Sequence, residues 1–167
     1  MGFDLYGMNP QAEQPKPKWE KGDPVIKVDK DKHIIDPQIK EEYDDYVKSK
    51  IEWEDSNEGA YFRNSAWGWR PLWHFVSQAC EDILTEKDIE RGNYNDGYRI
   101  SKTKSKRIAK RLRKLIKNGE VSAYEHMYKT HINNLSEKDI NRNYPFTLNN
   151  VKRFERFCEH SGGFEIC

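Results

Sequence analysis

Five side chains within eight positions, Arg63, Asn64, Trp67, Trp69 and Arg70, alternate flat rings with planar cations and an amide. An indole stacks on a nucleobase at about 1–3 kcal/mol per base. A guanidinium grips phosphate through two parallel bonds. A helix starting near Asn64 would add unpaired N–H groups that favour an anion. These residue types therefore suit capture of a nucleotide-like small molecule or of a protein surface. The same stretch supports a second reading. Six of the fifteen residues 61–75 are aromatic, and Trp67, Trp69 and Trp73 are three of the chain's five tryptophans. Rings carry the largest apolar area per residue, so the segment is also a candidate core, with its arginines neutralised by Asp4, Glu81 or Asp82.

Three polar residues elsewhere, Asp4, Asn95 and Asp96, complete the candidate ligand-binding set. With Arg63 they also define the one enzyme-like arrangement that the sequence permits, two carboxylates and an amide around a cation in a single pocket. No reaction follows from it.

A second cluster is basic. Residues 101–117 carry nine bases and no acid, whereas 41–58 carry eight acids and two bases. Lys104, Lys106, Arg107, Lys110, Arg111 and Lys114 lie outside the apolar stripe of one helix. They could neutralise phosphates of a nucleic acid, or simply form a solvated or internally paired face. The total charge of +1 favours neither outcome.

Other chemistry is excluded by spacing. His126 and His131 are five apart rather than the four that would place them on one helical face. The three cysteines are widely separated with no CxxC, so no disulfide framework or zinc site is expected, and reduced thiols fit a cytoplasmic protein. No local Cys-His or GxSxG signature marks a nucleophile. No catalytic residue, metal or cofactor is assigned. No apolar run approaches the eighteen or so residues of a membrane span, and no membrane partner is expected.

These residues must be positioned by elements that the apolar spacing locates. Gly2 to Gly7 alternates like a strand, and 164–167 is strand-like after Ser161-Gly162-Gly163, a helix cap or an anion-holding turn. Pairing of these two end segments is the economical way to stabilise either. Residues 11–24 are proline-rich and predict an extended linker. Val25–Val28 and His33–Ile35 predict a hairpin around 29–32. Apolar stripes predict helices from Pro37 to about Trp53, and from Pro71, or from Asn64 as N-cap, to about Leu84. Further helices follow Ser101 to Asn118-Gly119, run from Val121 to about Asn134, and follow Thr147. Asp96-Gly97 predicts a turn with positive φ.

The opening Met1-Gly2-Phe3-Asp4-Leu5-Tyr6-Gly7-Met8-Asn9-Pro10, the central Tyr61-Phe62-Arg63-Asn64 with Trp67 to Trp73, and the closing Ser161-Gly162-Gly163-Phe164-Glu165-Ile166-Cys167 resemble a family of small proteins, mostly phage- and prophage-encoded, of unassigned function. Tyr94 to Gly97 and Tyr144-Pro145-Phe146 are similar to it as well. The resemblance implies an accessory, host-interaction or anti-defence role in the cytoplasm of an infected bacterium. Paired CxxC motifs of some relatives are replaced here by Asn141-Arg142-Asn143, so no zinc site is carried over. The expectation is one α+β, mainly α domain over 1–167. It has four to five helices, a small sheet involving the termini, a hairpin near 25–35, and residues 11–58 as an appended linker, hairpin and helix. Its expected function is a non-enzymatic binding module using the 61–75 surface; the alternatives are nucleic-acid binding through 102–117 and a small enzyme.

Overall fold

Alternation in four short segments builds the sheet around which the rest is arranged. In the computed structural model, which describes residues 2–12, 14–21, 25–29, 32–35 and 37–167 (backbone alone over 25–29, 32–35 and 37–38), β1 spans Gly2–Gly7. Contacts divide the chain into Met1–Gln11 with Glu58–Cys167, and Ala12–Asn57.

In the first unit, β1 pairs antiparallel with β4 (Tyr61–Ser65) on one side and β6 (Phe164–Ile166) on the other. Strand β5 (Tyr98–Ile100) pairs with β6, giving the order β4-β1-β6-β5. The end segments thus pair as expected, with Leu5 opposite Ile166. Asp4 and Cys167 exchange two backbone hydrogen bonds of 2.8 Å. Strands β4 and β5 are additions to the expected architecture. Period-two alternation sends Phe3, Leu5, Phe62, Phe164 and Ile166 inward, all buried, while Asp4, Arg63, Arg99 and Glu165 face outward.

Helices cover the inner face. Helix α2 (Ala66–Ala79) starts at Ser65, whose hydroxyl accepts from the Gly68 N–H at 3.1 Å; Ser65 rather than Asn64 is the N-cap. The helix stops at Ala79, short of the expected Leu84, because the chain turns so that Ile83 and Leu84 both donate to the Cys80 carbonyl. Helix α3 (Glu86–Arg91) follows a capping box made by Thr85 and Asp88. Helix α4 (Lys102–Lys117) is capped by Ser101, α5 spans Glu120–Asn134, and α6 (Leu148–His160) is capped by Thr147. A 3₁₀ turn, Ile140–Asn143, precedes α6. Ile108, Leu112, Val151, Phe154 and Cys158 are buried and join α4 to α6 in the core. Between these helices the Ser105 hydroxyl donates to the Cys158 carbonyl at 2.7 Å and meets the Ser161 hydroxyl at 3.0 Å. Gly162 and Gly163 have φ of 66° and 94°, so the Ser161–Gly163 turn acts as the cap that releases the chain into β6.

In the second unit β2 (Val25–Asp29) and β3 (Lys32–Ile35) form the hairpin, and α1 spans Pro37–Ser56. The strands run through Asp29 and Lys32; Lys30 and Asp31 of the expected loop lie outside the described residues. Of the segment expected to be a linker, described residues contact α1. Trp19 packs on Tyr43 and Tyr46, and the Gln14 carbonyl accepts from the Trp53 indole at 2.8 Å. With α1, the described residues contain six α-helices.

Candidate functional site

Residues 61–75 fold as a strand running directly into a helix, which separates the aromatic cluster into two populations. Along a helix successive residues turn by about 100°, so Trp67 and Trp69 face opposite ways. Trp69 is fully buried, stacked between Phe3 and Trp73 at centroid distances of 5.5 and 5.3 Å, and its indole N–H donates to the Gly92 carbonyl at 2.8 Å. It cannot stack on a ligand, which corrects the expectation for this residue. Asn64 is also architectural. Its amide donates to the Asn150 side chain at 2.9 Å, and Asn150 donates in turn to the Gly68 carbonyl, so the strand–helix junction is clamped to α6.

Trp67 and Arg70 remain at the surface. Trp67 is 41% exposed, and its ring lies 4.6 Å from that of Tyr144 at 58°. Arg70 donates to the Tyr144 hydroxyl at 3.4 Å. The loop that presents Tyr144 is itself held: its carbonyl accepts from the Tyr128 hydroxyl at 2.9 Å, and Phe146 packs on Phe75 and Tyr124. Trp67, Arg70, His74 and Gln78 are all exposed and, spaced three or four apart, share one face of α2. Pro71 has no N–H, so the Trp67 carbonyl on that face loses its i+4 donor. Tyr144 is the site residue that spacing alone does not reveal. Its signal is the Tyr144-Pro145-Phe146 element, in which a fixed φ angle sets an aromatic pair.

The remaining candidates do not converge. Asp4 sits opposite Arg63 across β1 and β4, with the charges 3.6 Å apart, and Tyr61 donates to the same carboxylate. Burial, then the Asp4 bond, pushes the Tyr61 phenol well above its ordinary pKa. Asp96 is instead ion-paired with Arg91, and the Asn95 amide reaches the Gly2 carbonyl at 3.5 Å. The four residues of the enzyme-like arrangement thus fall into three separate contacts. Gly97, with φ of 83°, does form the expected turn.

Five of the nine bases of the basic segment are paired with carboxylates of the same chain. Lys104 pairs with Asp88, Lys106 with Glu159 at 3.4 Å, and Arg111 with Asp82 at 2.9 Å. Arg107 shares Asp82 at 3.7 Å, and Arg113 binds Glu155 and Glu159 at 2.6 and 3.0 Å. Of the six candidate nucleic-acid contacts, only Lys110 and Lys114 have no carboxylate partner among the described residues. Asp88 is a hub that the cationic pattern hides. It is 2% exposed and accepts from Lys104, from the Thr85 N–H and hydroxyl at 2.7 Å each, and from the Tyr98 hydroxyl at 3.0 Å. Burial alone would raise its pKa, but these donors outweigh burial and hold the carboxyl below the ordinary carboxylate range.

The thiols are protonated at neutral pH: burial pushes Cys80 up to about 12, raises Cys158 strongly, and together with Glu165 raises Cys167. Among the described residues no group of three or more His, Cys, Asp or Glu side chains is placed to hold a metal. No helix among them is long and apolar enough to cross a membrane. No protein-family model, curated protein or solved structure matches this chain.

Proposed function

We propose that this chain is a non-enzymatic binding module that docks a protein of the cell producing it through Trp67, Arg70 and Tyr144. The observation that carries this reading is the half-exposed Trp67 ring, held against Tyr144 with Arg70 on the same hydroxyl. Trp, Tyr and Arg are the residues on which interface energy concentrates. Here they are ordered by one another before binding, which lowers the entropy lost on association. The likeness of both termini and of the aromatic segment to phage-type proteins supports an accessory role in an infected bacterium, with blockade of a host effector as the concrete anti-defence version.

A nucleotide stacked on the 61–75 segment has less support, because Trp69 is closed and Arg63 already faces Asp4. Nucleic-acid binding along α4 has less support, because four of its six candidate contacts, Lys104, Lys106, Arg107 and Arg111, already pair with carboxylates and only Lys110 and Lys114 do not.

The test compares proteins captured from a bacterial lysate by the wild type, by Trp67→Ala and by Arg70→Ala, followed by titration of the purified partner. The expected result is one protein whose affinity falls at least tenfold with Trp67→Ala, a loss of about 1.4 kcal/mol or more, while the variant keeps the wild-type urea midpoint. A set of captured proteins unchanged by both substitutions would overturn the proposal.

A further inference from the structure

Two clefts share one lining side chain, Arg111. The first, of about 350 Å³, is walled by Phe75, Tyr124, Ala79 and Leu115, with Gln78 and Glu120 contributing polar groups. Its two rings lie 4.8 Å apart at 55°. The Tyr124 hydroxyl has no hydrogen-bond partner among the described residues. The second, of about 330 Å³, has Ile83 as its apolar element and Arg107, Lys110, Arg111 and Lys114 around it.

Their chemistry differs sharply. The first cleft is apolar and aromatic, with a hydroxyl, an amide and a carboxylate able to donate and accept. The second is lined by four cations, of which Arg111 and Arg107 share the Asp82 carboxylate at 2.9 and 3.7 Å. Lys110 and Lys114 have no carboxylate partner among the described residues. Arg111, which lines both clefts, is fixed from behind: one nitrogen donates to the Ala79 carbonyl at 2.5 Å and the other to Asp82. A guanidinium anchored in this way needs no reordering to receive an anion.

From these observations we infer that the two clefts form one elongated binding site for a nucleoside polyphosphate, with the heterocycle in the Phe75–Tyr124 cleft and the phosphates on Arg111, Lys110, Lys114 and Arg107. Both volumes lie near the lower end of ligand pockets, about 300–1,000 Å³. Arg107 to Leu115 spans nine residues of α4, eight rises or about 12 Å, so an anionic chain longer than one phosphate is needed to reach along it. Gln78, Glu120 and the free Tyr124 hydroxyl supply the mixed donors and acceptors that a base edge requires. A ligand that was only anionic would leave the aromatic cleft empty, and one that was only aromatic would leave the lysines unpaired. This site shares none of the Trp67, Arg70 and Tyr144 side chains and does not rest on the docking role proposed for them.

Isothermal titration of the full chain with ATP, GTP, CTP and UTP, with adenosine and with inorganic tripolyphosphate tests the inference. At least one triphosphate is expected to bind at least tenfold more tightly than tripolyphosphate and than adenosine. The double variant Lys110→Ala, Lys114→Ala removes no described ion pair and should keep its stability while weakening that triphosphate at least tenfold. Gln78→Ala should change the ranking among bases and leave tripolyphosphate unaffected. Absence of binding by every triphosphate at millimolar concentration would overturn the inference. So would equal affinity for tripolyphosphate, which indicates a charged patch alone, or an unchanged affinity in the lysine variant.

Discussion

Asp88 shows how much one residue can bind together here. Its carboxylate is the shared acceptor for the end of one loop, a strand tyrosine and a lysine of α4, inside a site from which water is nearly excluded. Because its folded pKa lies below the unfolded value of about 3.9, the stability it contributes is fully present above that pH. It is lost as pH falls through the folded value. Asp88→Asn should therefore cost about 3 kcal/mol at pH 7, the scale for breaking a buried pair. The gap from wild type should narrow below about pH 4; urea midpoints measured from pH 7 to 3 check both. A gap independent of pH would mean that packing rather than charge is at stake. The sequence advertises Lys104 as one more surface cation, and only the Thr85-x-x-Asp88 spacing hints at its partner. The split between Trp67 and Trp69 was equally hidden, because composition ranks the two alike and only the helix phase separates them.

At the level of elements, α3 and α2 meet at a point with no spare room. A Cβ at Gly92 would lie 2.1 Å from the Trp73 ring, although the φ of −65° at Gly92 suits any residue. The same ring donates to the Ile89 carbonyl at 3.0 Å. Gly92→Ala should cost about 1–3 kcal/mol through overpacking and alter the near-ultraviolet circular dichroism of the stacked Trp69–Trp73 pair. A wild-type melting temperature and spectrum would refute that contact. Helices α1, α4, α5 and α6 were legible in the sequence because apolar residues recur at three and four positions, and Ser101 and Thr147 stand at their starts. Strands β4 and β5 were not. Each is five residues or fewer and acquires its meaning from a partner far away in the chain, Asp4 opposite Arg63 and Glu165 opposite Arg99. The candidate site was half legible: its arginine and indole were named, while Tyr144 entered from a separate loop.

Across the whole molecule, a sheet with β1 and β6 at its centre makes the first and last described strands mutually dependent. Deleting residues 164–167 would strip β1 of one neighbour and β5 of its only neighbour among the described strands, and would remove the buried Phe164 and Ile166. Each lost core side chain costs about 2–5 kcal/mol, comparable with the entire stability of a small domain. The truncated chain should therefore lack cooperative unfolding in urea, and a sharp transition near the wild-type midpoint would disprove the dependence. The strand order also has a temporal side. A ribosome delivers β1, β4 and β5 before β6, so until β6 emerges β1 offers an unpaired edge that could recruit any exposed strand nearby. Closure of the sheet therefore waits on β6: without Phe164 and Ile166 that edge of β1 stays open, and proteases would be expected to cut the chain more readily.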